Sequence, residues 1–544
     1  MNDKIRIGLL IDSFVMPAWI TGMVKKITEI DKVEIAVIIV AAPDNHHDSS
    51  GWGYRFYKGL DNILYKTYPN ADQATDLYPL VKNIPQVNVS PLISEKKKEI
   101  GHDDVNIISG YHPDVLIKLG FENLSGEILD LPKLGVWSLD CFKEKSVNLS
   151  PGALQFFNNN EITPSAVKIL SGDPATEKIL YQSFSMTDKK SLNRNLNKVY
   201  WKSLSFIPRL LSLLSQNGEN WFWEYIKQNN DNLSGRMVLP GGVVSNGKTL
   251  QTLINKYFGE IANRIKGLFH PDRWNLFYHV GESDHIETKA PAFKKIPCPK
   301  GAFWADPHVV NFNNSPFIFF EEWDHKKKKG HISAIEFTNG NTVPAVLKVL
   351  EKPYHLSYPF IFQWKGMFYM IPETASNRTI ELYQCKNFPG EWVFVMNLME
   401  NIHAVDTTLY FYDNKWWLFA NIVENAGASS LDELFIFCAD DFLTTDWSAH
   451  KLNPLVSDAR NARPAGAIFS INGKIYRPSQ CSDKIYGRSV NINEVITLTE
   501  SNFLEINGAR LVPGGAGEGL GIHSYSKLNQ LTVIDIFCHK TNGN

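Results

Sequence analysis

Cysteine is scarce and scattered. The six residues, at 141, 298, 385, 438, 481 and 538, show no CxxC spacing, and Cys438 and Cys538 lie in apolar runs. They read as buried thiols in a reducing compartment, which excludes a disulfide framework and a zinc site. Long hydrophobic runs are missing too. The longest, Ile35 to Ala42, is far short of the ~20 apolar residues that a bilayer span needs. Neither sign of charge is in excess: 55 Lys and Arg stand against 57 Asp and Glu, for a net charge of −2. That excludes a bulk electrostatic partner such as nucleic acid. The chain opens Met1-Asn2-Asp3-Lys4 and runs straight into an apolar strand. No signal peptide is expected, and a cytoplasmic location is. No metal site is expected.

Aromatic residues are plentiful, with 14 Trp, 20 Tyr and 32 Phe in a chain of 544. That length should hold more than one domain. The second half repeats one design. Trp304-Ala305-Asp306-Pro307 precedes an apolar strand, a turn and a second apolar strand, 316–320. Related stretches follow at Ser357-Tyr358-Pro359, Val405-Asp406-Thr407, Ala462-Arg463-Pro464 and Gly521-Ile522-His523. The spacing is roughly 50–60 residues, and a repeat of short strands at that period predicts a β-propeller, here of five blades.

The first half reads differently. Residues 5–12 and 33–40 are continuous apolar runs, and Ala18 to Ile30 between them has helical spacing. Strand, helix, strand opens a parallel α/β sheet. His102 to Gly110 reads as a short helix and Asp114 to Leu119 as a third central strand. From His112-Pro113-Asp114 through Leu131-Pro132-Lys133-Leu134-Gly135 the sequence resembles the formyltransferase family, as does Pro151-Gly152-Ala153-Leu154 further on. The likeness spans roughly residues 5–190. It implies a Rossmann-type domain whose next strand carries the active site. That family's Asn-x-His-Pro-Ser is replaced here by Ser138, Asp140, Cys141 and Phe142, and its catalytic Asp by Ala175. Asp140 could serve as a base, but nothing replaces the His that polarises the carbonyl. The expectation is a formyltransferase-like domain with lost or changed activity. The minority reading keeps Ser138 and Asp140 as an acyl- or formyl-transfer site.

Residues 191–272 are expected to be a helical linker region. Leu196 to Leu214 has helical spacing, with Pro208 as a break, and residues 228–242 form a polar linker. Leu250 to Phe269 is amphipathic, with Leu253, Tyr257, Ile261 and Ile265 four apart. Packing between domains accounts for such a helix more often than contact with a membrane surface, which stays the smaller expectation. The domains expected are therefore 1–190, 191–272 and 273–544.

In a propeller the start of each innermost strand points into the central mouth. Tyr358, Asp406 and Arg463 stand at such positions with Asp306. A second polar ring ends the second strands: Glu321, Glu322, Glu373, Asn421 and Gln480. Trp304-Ala305-Asp306-Pro307 is similar to the first-blade signature of arabinanase/β-xylosidase-type glycoside hydrolases. The resemblance makes Asp306 the base and Asp406 the residue that tunes the acid. Arg463 stands where that family has its acid. Hydrolysis of this kind needs two carboxyl groups, and an Arg delivers no proton at neutral pH. The acid role would have to pass to Glu373. Ala462-Arg463-Pro464, Ile475-Tyr476-Arg477-Pro478-Ser479-Gln480 and Tyr486-Gly487-Arg488 also resemble the propeller found at the N-terminus of plant glucosamine inositolphosphorylceramide transferases. Arg463 with Arg460, Arg477 and Arg488 would suit phosphate or carboxylate. Gly514-Gly515-Ala516-Gly517-Glu518-Gly519 reads as a last-blade loop.

The function expected is a carbohydrate-active transferase of surface-glycan or glycolipid assembly, working in the propeller mouth on a nucleotide-, phosphate- or lipid-linked sugar. Asp306, Asp406 and Glu373 are the catalytic candidates; Arg463, Tyr358, Gln480, Arg488 and His523 are the candidates for substrate binding. A sugar nucleotide stands ahead of a folate as donor, and the oligomeric state is left open. The alternatives are a glycoside hydrolase with a relocated acid, a folate-dependent sugar N-formyltransferase and a non-catalytic glycan-binding protein.

Overall fold

The computed structural model describes residues 4–42, 52–94, 97–121, 123–139, 152–173, 176–232, 244–269, 273–282, 285–287, 293–338, 342–513 and 519–538. Asp140, Cys141, Phe142, Ala175 and Gly514 to Glu518 therefore lie outside the described residues, as does most of the expected polar linker at 228–242. Two compact units form. One comprises residues 1–183, 187–255 and 425–429; the other comprises 184–186, 256–424 and 430–544.

The first unit is α/β. Its sheet runs in the order Lys178–Met186, Ile162–Ile169, Val136–Ser138, Val115–Lys118, Ile5–Ile11, Val33–Ala41 and Gln86–Val89. The last five are parallel to their neighbours, and Ile162–Ile169 is antiparallel to Val136–Ser138. Both faces are covered, so the central strands bury nearly every side chain, as Leu9, Leu10, Ile38, Ile39, Leu116 and Ile117 do. That is why the sequence there is continuously apolar and not alternating. Ser138 ends its strand fully buried.

The helical stretch breaks elsewhere than expected. Helices Leu192–Ser203 and Phe206–Asn217 are divided at Leu204-Ser205, and Pro208 sits buried in the first turn of the second helix. A first-turn amide has no partner inside its helix, so a proline there removes no hydrogen bond. The side chain of Ser191 caps the first of these helices by accepting from the Arg194 amide at 3.1 Å. A long helix spans Asn246–Phe269, but the side chains of Tyr257, Ile261 and Ile265 lie outside the described residues. Among the described residues no helix is long and apolar enough to cross a membrane.

The second unit is a five-bladed propeller. The inner strands of its first four blades are Trp304–Phe312, Ser357–Trp364, Ala404–Tyr412 and Phe469–Ile471, each followed outward by three more strands. Aromatic rings fill the spaces between blades: Phe362, Trp364, Trp416 and Phe442 pack between the second and third. The fifth blade is assembled from both ends of the unit. Its inner strands Tyr525–Leu528 and Leu531–Cys538 come from the C-terminal side. Its third strand is Arg273–Val280, paired antiparallel with Leu531–Cys538 from Arg273↔Cys538 to Val280↔Leu531. The ring is thereby closed, and each blade keeps only its short outer edge.

Candidate functional site at the propeller axis

Three inner strands carry the same irregularity. The register slips between Ala305 and His308, between Ser357 and Phe360, and between Val405 and Thr408. At each slip two residues oppose one, which is a β-bulge. The first bulged residue is left-handed each time: Asp306 at φ 52°, Tyr358 at φ 40° and Asp406 at φ 53°. A non-glycine residue is rarely held there, and a bulky one at a cost of order 1–3 kcal/mol. Opposite the residue before each bulge stands the inner end of the second strand: Glu321 faces Ala305, Glu373 faces Ser357 and Asn421 faces Val405. In the fourth blade the Gln480 amide donates to the Arg463 carbonyl at 2.8 Å. The fifth supplies Asp535, buried completely within its second strand.

These groups join into two linked clusters. In the first, the Asp306 carboxylate meets His523 Nε2 at 3.0 Å and accepts from the Ser524 hydroxyl at 2.8 Å and the Tyr358 amide at 3.2 Å. His523 Nδ1 meets Asp535 at 2.8 Å. Asp535 also accepts from the amides of Asp306, His523 and Ser524 at 2.9, 3.1 and 2.9 Å. In the second cluster Arg463 grips Asp406 with two donors, Nε at 2.5 Å and Nη2 at 3.2 Å, and Gln480 donates to the same carboxylate at 2.7 Å. Arg463 Nη2 stands 3.7 Å from Glu373, and the guanidinium lies 5.1 Å from the centre of the Tyr486 ring. Arg463 Nη1 makes no hydrogen bond or ion pair among the described residues.

The electrostatics follow from burial and partners. Burial alone would raise the Asp306 carboxyl, but His523, Ser524 and Arg463 outweigh it and bring it down to about 2. Burial alone would lower the His523 imidazolium, but Asp535 and Asp306 on either side hold it well above its usual range. Glu373 goes the other way. Burial and then the Asp406 charge push it well above the carboxylate range, and Arg463 offsets only part. Glu321 is raised likewise, by burial and then by Asp306. A site that pushes carboxyl groups apart in this manner holds proton donors beside fixed anions. Asp306, His523 and Asp535 each offer one ligand atom within 4.8 Å of the others, the arrangement a metal ion could use. The imidazolium already neutralises one carboxylate there, so an ion would first have to displace its proton.

Solvent reaches the clusters unevenly. The side chains of Glu373 and Arg463 are each 12 % exposed, against 2 % for Asp406. Glu373, Arg463 and Tyr486 are thus nearer to solvent than Asp406. Gln480 is fully buried, its amide nitrogen shared between Asp406 and the Pro464 carbonyl. The buried Tyr358 hydroxyl pairs with Thr408 at 2.8 Å. Arg488 is engaged by Asp483 at 2.9 Å, Arg460 by Asp458 and Arg477 by Glu505. The four arginines expected to suit phosphate or carboxylate each pair with a carboxylate of the chain, and Arg463 alone of them belongs to the axial cluster. Ser138 belongs to the first unit. Asp535 and Ser524 escaped the sequence reading. The signal for Asp535 was there: it is the one charge in the apolar run Val533-Ile534-Asp535-Ile536-Phe537.

With this geometry in place, comparison with known proteins has a fixed point. Residues 292–513 match the family described as glucosamine inositolphosphorylceramide transferase 1, N-terminal. The match takes in Asp306, Tyr358, Glu373, Asp406, Arg463 and Gln480, and leaves out His523, Ser524 and Asp535. Glucosamine inositolphosphorylceramide transferase 1 of Oryza sativa subsp. japonica is 33 % identical over 207 residues, 38 % of this chain and 28 % of that protein. The chain thus spans little more than a quarter of the curated relatives it matches. Among solved structures, the α-L-arabinofuranosidase PaAbf62A from Podospora anserina covers 49 % of this chain and 98 % of its own, at 10 % identity and TM-score 0.35. Glycinamide ribonucleotide transformylase 1 from Symbiobacterium toebii covers 39 % and 88 %, at 12 % identity and TM-score 0.27.

Proposed function

We propose that the protein is a carbohydrate-active transferase whose propeller mouth receives the sugar of a lipid- or nucleotide-linked substrate. One observation carries the reading. Carboxyl groups of two blades, Glu373 and Asp406, meet the Arg463 guanidinium of a third, with Asp306 of the first blade in the adjoining cluster, and all four residues lie in the segment that matches the glucosamine inositolphosphorylceramide transferase 1 N-terminal family. In this reading Glu373 and Arg463 touch the ligand, with Nη1 of Arg463 left to donate to a sugar oxygen. Asp406 and Gln480 are positioning residues that hold the guanidinium still. Asp306 is the fixed anion, kept charged by His523, while Glu373 holds a proton that it can give up.

The charges argue for the kind of sugar. Among the described residues of the two clusters, Asp306, Asp406, Asp535, Glu321 and Glu373 stand against the charged Arg463 and His523, and the nearby His355, 3.7 Å from Glu321, is held below the usual imidazole range by burial. Even with both glutamic acids protonated the floor keeps a negative excess. A phosphate is disfavoured there, whereas the ammonium of an amino sugar is favoured, and Glu373 can release its proton when the ammonium arrives. The rice relative is named for glucosamine. Calorimetric titration should show glucosamine binding more tightly than glucose, with glucose 1-phosphate weakest. The neutral Glu373→Gln variant should weaken glucosamine by about ten-fold, since it cannot ionise. Tightest binding of the phosphate, or no response to the substitution, would sink this reading. A second reading, glycoside hydrolysis with a relocated acid, is favoured by the proton held on Glu373. It requires free sugar from an aryl glycoside and loss of that release in Asp306→Asn.

A further inference from the structure

The first unit carries an anomaly that no sugar chemistry explains. The helix Trp52–Leu64 is apolar on two sides. Its inner face, Tyr54 and Tyr57, is buried against Phe156 and Phe157. Its outer face bears Trp52, Phe56 and Ile63 at 62, 60 and 70 % exposure, with Leu64 at 65 % and, just beyond the helix, Tyr68 at 100 %. At 3.6 residues per turn, Trp52, Phe56 and Ile63 fall within about 40° of one another. Contiguous large apolar side chains on a surface mark a docking site.

Loose packing does not account for the exposure, because the segment is tied down along its length. Asp61 accepts from the Ser191 hydroxyl at 2.8 Å and the Asn193 amide at 2.7 Å. Asn193 donates to the Tyr65 carbonyl at 2.7 Å, and Trp201 to the Pro69 carbonyl at 3.0 Å. Asn197 accepts from the Ala71 amide at 2.8 Å. The same bonds sort the charges. Asp61, the one acid between Trp52 and Asn70, is turned inward, so the charges that reach solvent on this stretch are Arg55, Lys58 and Lys66, all basic. The nearest acid beyond it, Asp72, is felt by Lys58.

We propose that this helix face docks on an anionic lipid surface. Trp52, Phe56, Ile63, Leu64 and Tyr68 would enter the interface while Arg55, Lys58 and Lys66 meet acidic headgroups. Tryptophan and tyrosine favour the headgroup level, and an apolar stripe flanked by Lys and Arg is the pattern of helices that lie in the bilayer plane. The proposal is independent of the propeller site.

The test is co-sedimentation of the full chain with vesicles of phosphatidylcholine alone and of phosphatidylcholine with phosphatidylglycerol. Binding should favour the anionic vesicles and weaken with salt. The triple variant Trp52→Ser, Phe56→Ser, Ile63→Ser should lose about ten-fold or more of the bound-to-free ratio while its melting temperature stays near that of the parent. Arg55→Glu with Lys66→Glu should lose the preference for acidic lipid and keep the fold. The proposal fails if the parent binds neither vesicle, or if the triple variant binds as well as the parent. It also fails if the parent is a dimer in solution that the triple variant makes monomeric, since the face would then belong to a second copy.

Discussion

The axial cluster contains one arrangement built twice, with different cations. Asp306 and Asp406 occupy equivalent left-handed bulges. Each is held by a cation from a later blade, and each has a raised glutamic acid beside it, Glu321 or Glu373. On the first side the cation is His523, which can lose its proton. On the other it is Arg463, which cannot. In the first half Asp535 accepts three backbone amides and stands 2.8 Å from His523 Nδ1, although that nitrogen makes no hydrogen bond among the described residues. The second half keeps more: among the described residues Gln480 Oε1 and both ends of the Asn421 amide make no hydrogen bond, and Glu373 Oε2 has only Arg463 Nη2 at 3.7 Å. In the function proposed above, the arginine half faces the ligand and the histidine half holds the frame.

The largest effect should come from Arg463→Ala. It strands the Asp406 carboxylate in a buried setting and should cost about 3–5 kcal/mol in denaturant unfolding, with Arg463→Lys recovering part. A loss below about 1 kcal/mol would mean that Asp406 is not dependent on its guanidinium.

His523→Gln should cost less, about 2–3 kcal/mol, because Ser524 and backbone amides still serve both carboxylates. Its pH dependence separates the two halves. The folded His523 pKa is raised, so its contribution is complete below about pH 6.5 and fades as pH climbs through the folded value. The gap between parent and His523→Gln should therefore narrow in alkali, while the gap for Arg463→Ala stays constant over the same range. Parallel behaviour of the two variants would break the comparison.

The smallest effect is expected at Asn421. Its amide is fully buried with no partner on either end among the described residues. Replacing it by leucine, which has the same heavy-atom branching, should change stability by no more than about 1 kcal/mol, in either direction. A large loss would reveal that the amide is held by something the protein binds.

Much of this was legible in the sequence because a propeller repeats. The spacing of Asp306, Tyr358 and Asp406 located the mouth, and the polar residues ending the second strands located the second ring. Two things hid the rest. Partners distant in sequence leave no local signal, so Arg477 looked available although Glu505, on the next strand but one, takes it in two bonds. The strand Arg273–Val280 has the right pattern but pairs with residues some 250 positions away, and periodicity does not carry that information. Pro208 misled for a local reason: a proline inside an apolar period reads as a break unless the preceding cap is recognised.

The way the ring is fastened governs what can be cut from this chain. The segment 292–513 that resembles other proteins contains four blades and neither half of the fastening. Expressed alone it would be an open arc with two raw flanks, and Asp306 would have lost both His523 and Asp535. The shortest portion worth isolating runs from the strand at Arg273 to the strand ending at Cys538, well outside the limits that similarity would suggest.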